Sequence, residues 1–139
     1  HSRRIADYGG VVNVMPKFAA FALLFFMANS GLPGTSGFVG EFMIVLAAFQ
    51  WNPLVALGAA TTLIISAAYS LWLYKRVFFG EVGNAHVAEL KDMNGREWLV
   101  MTVFAVGTLV LGFYPKPLTD LMEPSIAHLA MQIASSKLL

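Results

Sequence analysis

One carboxylate stands inside the long apolar part of this 139-residue chain. It is Glu41, just past the seam GLPGTSG at Gly31–Gly37. An ionisable side chain within a membrane span costs about 2.5–3.5 kcal/mol on insertion scales, so such residues mark ion and proton pathways. Burial favours the neutral acid, while the N-terminal dipole of a helix beginning at the seam favours the ionised form. With both forms accessible, the chemistry to expect of Glu41 is reversible protonation. The competing reading is a carboxyl paired permanently with a Lys or Arg on another helix.

Other polar groups fall at spacings that suit the same chemistry. Thr62, Ser66 and Tyr69 repeat at i, i+4 and i+7 and so share one helix face. They are candidates to line a water or proton path beside Glu41. Lys75, at the end of that helix, is a candidate entry or exit group. Each has a plainer alternative: Ser and Thr hydroxyls bond back to their own helix carbonyls, and a Lys at a helix end snorkels to the interface. His1, His86 and His128 lack metal-ligand spacing, and the seven Met residues suit packing. No metal and no cofactor is expected in this chain.

These residues depend on a helix that breaks. Phe18–Asn29 and Phe38–Gln50 are apolar but short. About 20 residues are needed to cross roughly 30 Å of hydrocarbon, and each segment reaches little more than half of that at ~1.5 Å per residue. Together, residues 18–50 read as one membrane-deep element broken near its middle at Gly31, Pro33, Gly34 and Gly37. Pro33 removes a donor and disfavours the α conformation at Leu32. Thr35 or Ser36 is expected to cap the second half. Gly31, Gly34, Gly37 and Gly40 recur every third residue and are expected to admit another backbone. Broken helices at membrane depth line ion and substrate sites. A phosphate-loop reading fails, because no Gly-Lys-Ser/Thr follows.

The composition agrees. The chain is 58% hydrophobic and 12% charged, with mean hydropathy +0.68, against about 25% charged in a soluble domain. A net charge of +1 gives no surface for nucleic acid. With no cysteine there is no disulfide, thiolate zinc site or Cys-ligated iron–sulfur cluster. The chain opens on His1, carries no signal-peptide pattern and is expected to be a piece of a longer membrane protein.

In order, residues 1–17 form a polar lead-in, with Pro16 suited to the first turn of the next helix. Residues 53–76 hold the uncharged run Pro53–Tyr74, a transmembrane helix closed by Trp72, Tyr74, Lys75 and Arg76. Residues 77–97 form a polar loop in which Glu89–Asp92 is expected to make a helical turn. Residues 98–115 form the next span, ended by Pro115-Lys116-Pro117. Residues 116–139 read as an interfacial amphipathic tail, frayed at its end. The fold class is therefore an all-α integral membrane protein with three transmembrane crossings, the first discontinuous, plus a C-terminal amphipathic helix. Arg3, Arg4, Lys17, Lys75, Arg76, Lys91 and Arg96 lie on one side, against Lys116 and Lys137 on the other. That bias places the basic loops in the cytoplasm and the C-terminus outside, in a multi-pass protein of the cell's inner (plasma) membrane.

At GLPGTSGFVGEFMI the sequence resembles the antiporter-like subunits of respiratory complex I, the proton-translocating NADH–quinone oxidoreductase. MP at Met15–Pro16, YSLWLYKRVFFG at Tyr69–Gly80 and GFYPKPLTDLMEPS near the C-terminus support it, so the resemblance covers nearly the whole chain. Glu at position 41, where sister subunits and Na⁺/H⁺ antiporter complexes usually carry Lys, is similar to the chain M branch (subunit 4 in mitochondria). The resemblance implies a discontinuous helix followed by two more, the twelfth to fourteenth of that family, with Glu41 as the terminal proton site of one half-channel. It implies quinone reduction coupled to proton pumping, with NADH, FMN, iron–sulfur clusters and quinone held by partner subunits. It also implies neighbouring antiporter-like subunits and the lipid bilayer as partners. The channel's central Lys and its Glu–Lys pair would lie on preceding helices. A subunit of a multisubunit Na⁺/H⁺ antiporter or membrane-bound hydrogenase, and a purely structural membrane module, are the alternatives.

Overall fold

The computed structural model describes residues 4–136. His1, Arg3 and Lys137, named above, lie outside them. After a 3-10 turn at Ile5–Asp7 come α1 (Val11–Val14), α2 (Pro16–Asn29), α3 (Ser36–Trp51), α4 (Pro53–Phe78), α5 (Ala85–Ala88), α6 (Gly95–Phe113) and α7 (Lys116–Ser136). No strand occurs among the described residues.

The starts of these helices follow from local chemistry. Pro16 and Pro53 occupy the first turns of α2 and α4, where a missing N–H costs nothing. Asn52 caps α4, its Oδ1 accepting from the Leu54 amide at 2.8 Å. The helix α6 begins at Gly95, three residues before the expected span. Asn94 and Glu97 form a reciprocal capping box there, which draws Gly95–Glu97 out of the loop and into the helix. Similarly, α4 continues through Phe78 because Phe78 is buried in the core. The helical turn of the loop is Ala85–Ala88, capped by Asn84, not Glu89–Asp92.

Asp92 has another task. It is 75 and 74 residues from Lys17 and Phe18 yet accepts both their amides, at 3.0 and 3.2 Å, and so caps α2 from outside it. Partial burial pushes the Asp92 carboxyl up. The amides of Met93, Lys17 and Phe18 and the charge of Lys17 outweigh that and hold it below the usual carboxylate range. The lead-in is strapped to the same loop. Gly10 N–H donates to Phe79 O, Gly83 N–H to Gly9 O, Asn13 to Gly80 O and Asn84 to Asp7 O, at 2.7–3.2 Å. The N-terminal segment and the 79–94 loop thus lie together at one end of the bundle.

The core sits under this strap. Val11, Ala19, Ala22, Tyr74, Phe78 and Val87 are buried together. Tyr74 stacks on Phe78 with centroids 4.4 Å apart and meets Phe26 edge-on at 5.8 Å. Its hydroxyl donates to Ala19 O at 2.9 Å, tying α4 to α2.

Elsewhere the helices face outward. Two of them, α4 and α6, are long and apolar enough to cross a membrane, yet only 11% and 6% of their most apolar windows are buried. A soluble core helix would be mostly covered, so these apolar faces call for lipid or further helices. The final helix, α7, is exposed along its whole length and runs through Pro124. There the proline forgoes the hydrogen bond to the carbonyl four residues earlier.

Candidate functional site

The seam is built of two standard stops in succession. At the end of α2, Gly31 has φ +74°, its N–H donates to Ala28 O at 3.2 Å and the Leu32 N–H donates to Met27 O at 3.0 Å. That pair of bonds is a Schellman motif, and the left-handed position is the one a glycine takes without strain. The chain then turns through Leu32-Pro33-Gly34-Thr35. Pro33 is second, Gly34 third with φ +91°, and Thr35 N–H donates to Leu32 O at 3.1 Å. This is the type II pattern, which needs a positive φ at its third residue. Thr35 occupies the N-cap of α3 and is buried, but it does not cap. Its hydroxyl donates to Leu32 O at 2.6 Å instead, closing the turn a second time. Neither Thr35 nor Ser36 gives α3 a side-chain cap bond.

Of the four spaced glycines, Gly37 is the one that admits another backbone: a Cβ there would run into Ala28 O. Gly34 and Gly31 admit side chains instead, since a Cβ on Gly34 would press the Phe113 ring at 3.1 Å and one on Gly31 would strike Glu41 Oε2. Gly40 meets nothing within 4 Å, so the expectation fails there. Gly112 of α6 makes an approach the sequence reading missed, against the backbone of Gly34 and Thr35. The seam is thus held by α2, α3 and α6 at once.

Glu41 is the sixth residue of α3, and its carboxyl lies against Gly31, in the space a side chain there would fill. Its Oε2 is buried and has no hydrogen-bond partner among the described residues. No ion pair to Glu41 occurs among them either; Lys116 and Asp120 pair on the exposed surface of α7.

Ser66 and Tyr69 are brought to the seam. The Tyr69 hydroxyl accepts from Asn29 Nδ2 at 3.2 Å and from Ser66 Oγ at 3.3 Å, and Ser66 Oγ also lies 3.3 Å from the Asn29 carbonyl oxygen. That carbonyl belongs to the last residue of α2, among those a helix end leaves without an internal partner. Thr62 behaves differently: its hydroxyl bonds back to Ala59 O at 2.6 Å, the plainer of its two readings. Lys75 is exposed in the last turn of α4. It stands six residues beyond Tyr69, about 9 Å along the helix at ~1.5 Å per residue. Asn29 and Ser70 were missed. Ser70 Oγ is fully buried and has no hydrogen-bond partner among the described residues. Asn29 had a signal in the sequence, as a polar residue two positions before a helix-ending glycine.

Among the described residues no group of three or more His, Cys, Asp or Glu is placed to hold a metal ion. The arrangement is a carboxyl with a free acceptor oxygen, set at a rigid helix break beside a chain of hydroxyl and amide groups.

Known proteins share much of this sequence. Residues 1–66, which include the seam and Glu41, match the membrane-domain family described as NADH:quinone oxidoreductase/Mrp antiporter. The chain is 53% identical over 129 residues to NADH-quinone oxidoreductase subunit M of Rhodobacter capsulatus, covering 93% of this chain and 25% of that protein. It is 45% identical over 128 residues to NADH-ubiquinone oxidoreductase chain 4 of Arabidopsis thaliana, covering 92% and 26%. Among solved structures it matches a chain of respiratory complex I from Thermus thermophilus with bound NADH. There the TM-score is 0.76 and the identity 36%, over 87% of this chain and 25% of that one. The chain spans about a quarter of the length of the curated relatives it matches.

Proposed function

From a chain related to subunit M and chain 4 of NADH–quinone oxidoreductase, we propose a role in the proton-translocating membrane arm of that enzyme, with Glu41 as a protonatable channel residue. Pumping would be coupled to quinone reduction. NADH, FMN, iron–sulfur clusters and quinone would be held by other subunits, and neighbouring antiporter-like subunits would be the partners. The observation that carries the reading is the Glu41 carboxyl itself: in an apolar helix, against the break, with a buried oxygen that has no hydrogen-bond partner and no ion pair among the described residues. A structural carboxyl would be locked into a salt bridge or a full set of hydrogen bonds. One left with a free acceptor beside hydroxyls is able to change its protonation state.

In this reading α2 and α3 make one discontinuous crossing, followed by α4 and α6, with α7 an interfacial helix. The strapped end, carrying Arg4, Lys17, Lys75, Arg76, Lys91 and Arg96, faces the cytoplasm of a bacterial plasma membrane, and α7 lies outside. Tyr69 and Ser66 line the path directly, and Lys75 stands at its end, whereas the Thr62 hydroxyl stays on its own helix. Each charge moved against 100 mV costs about 2.3 kcal/mol, so net transport draws on the distant redox step. The test is Glu41→Gln in the complete enzyme, with quinone reduction and proton uptake measured together in membrane vesicles. The reading expects pumping to fall with assembly intact. Unchanged pumping would reassign Glu41 to packing.

A further inference from the structure

Residues on two other elements meet at the Glu41 carboxyl. A Cβ on Gly31, in the turn that ends α2, would overlap Glu41 Oε2 and stand 3.3 Å from the carboxyl carbon Cδ. The next nearest atom to that point is Leu63 Cδ2 of α4, at 3.4 Å. The space a side chain would take at Gly31 is therefore bordered by the carboxyl and by one methyl group. Leu63 belongs to the inward face of α4, where Leu63, Ser66, Ser70 and Tyr74 follow at i, i+3, i+7 and i+11. Along that face Leu63 and Ser66 are half-buried and Ser70 and Tyr74 buried.

Two separate demands fall on Gly31. Its φ of +74° is one that glycine takes without strain. The turn alone would be satisfied by an asparagine as well, since Asn also visits the left-handed region. The space is the second demand, and every residue with a Cβ fails it because the Glu41 carboxyl is there. Leu63 brings only a methyl group to this point, and Oε2 is buried with no hydrogen-bond partner among the described residues. Shape, not hydrogen bonding, holds the carboxyl in place.

We propose that Gly31 and Leu63 are positioning residues for Glu41. The glycine leaves room for the carboxyl, and the leucine closes that room with an apolar wall, so the acid exchanges its proton from one fixed seat against the helix break. The proposal rests on the protonation role given to Glu41 above and names the residues that fix its geometry. Side-chain length at position 41 then matters along with the carboxyl, because Glu reaches the seat and Asp stops one carbon short of it.

The test measures protons pumped per quinone reduced in vesicles of the complete enzyme, for the wild type, Gly31→Ala, Glu41→Asp and the two changes together. Left-handed backbone strains an alanine equally in both backgrounds, so only the occupied space separates them. Gly31→Ala should lower the stoichiometry severalfold when Glu41 is present, with quinone reduction retained, and take nothing further from Glu41→Asp. An equal fractional loss in both backgrounds, or none in either, would overturn the seat. Leu63 supplies a second test that holds even where Gly31→Ala fails to assemble. Infrared difference spectra follow the carbonyl stretch of protonated Glu41, identified by its loss in Glu41→Gln. Leu63→Asn puts an amide donor where the methyl group stood, so the band should move to lower wavenumber, while Leu63→Met keeps an apolar contact and should leave it in place. A band that Leu63→Asn does not move would overturn the seat and leave the role of Glu41 standing. If Glu41→Gln itself pumped normally, the underlying reading would fall, and the seat with it.

Discussion

Two glycines three residues apart on α3 should respond in opposite senses to the same added methyl group. Replacing a mid-helix glycine by alanine gains about 0.5–1 kcal/mol, because glycine loses the most freedom on folding. At Gly40 a new Cβ meets nothing within 4 Å, so Gly40→Ala should keep that whole gain. At Gly37 the new Cβ would overlap Ala28 O and lie 3.1 Å from its carbonyl carbon. These are backbone atoms in the Schellman turn of α2, fixed by the bonds from Gly31 and Leu32, so no side-chain rotation relieves the clash. Overpacking of this kind costs about 1–3 kcal/mol, which leaves Gly37→Ala destabilised by roughly 0.5–2 kcal/mol once the helix gain is subtracted. The two variants should therefore differ by about 1–3 kcal/mol, roughly 5- to 150-fold in the ratio of folded to unfolded protein. Thermal unfolding of the complete protein in mild detergent reads this as several degrees between them, at about 2–4 °C per kcal/mol for a chain of this size or larger. Equal melting temperatures, or a lower one for Gly40→Ala, would refute the close approach at Gly37.

Further outcomes follow from other parts of the bundle. Tyr74→Phe should lose about 1 kcal/mol with its hydrogen bond to Ala19 O, and Tyr74→Ala about 3–5 kcal/mol with the ring packing, both read by the same melts. Asp92→Asn should expose the 79–94 loop to limited proteolysis near neutral pH. Because Asp92 is held below the usual carboxylate range when folded, its contribution is present above the unfolded carboxylate value and is lost as pH falls through the folded one. Wild-type protection of the loop should accordingly fade on acidification, and that of the Asn variant should not change. Asn94→Ala, which removes the capping box of α6, should cost about 1 kcal/mol. Asp120→Ala should move stability by less than about 0.5 kcal/mol, since the Lys116–Asp120 pair is exposed.

What could be read from the sequence was what proline, glycine and hydropathy encode locally. Gly31 and Gly34 take a positive φ that few other residues adopt, and Pro33 between them removes a donor, so the break between α2 and α3 announces itself. The apolar runs of α4 and α6 do so as well. What escaped was set by distance along the chain or by competition between equal options. Asp92 caps a helix 75 residues away, and no local pattern signals that. Thr35 stood where a cap was expected, but a turn carbonyl offered its hydroxyl a nearer acceptor. Thr62 had the same choice and took its own helix. The box Asn94-x-x-Glu97 was legible and would have placed the start of α6 correctly. Glu41 stands out in the sequence because a charge in an apolar run is costly wherever it lies. Asn29 went unnoticed because a polar residue at a helix end is commonplace until its partners are known.

The central claim is that Glu41 acts by changing protonation and not by holding the fold. Protons pumped per quinone reduced should be measured in coupled vesicles for the wild type, Glu41→Asp, Glu41→Gln and Glu41→Leu at matched assembly. Asp keeps a titratable carboxyl on a shorter arm and should retain part of the stoichiometry, while Gln and Leu should lose it together with quinone reduction preserved. A full stoichiometry in Glu41→Leu would contradict the account.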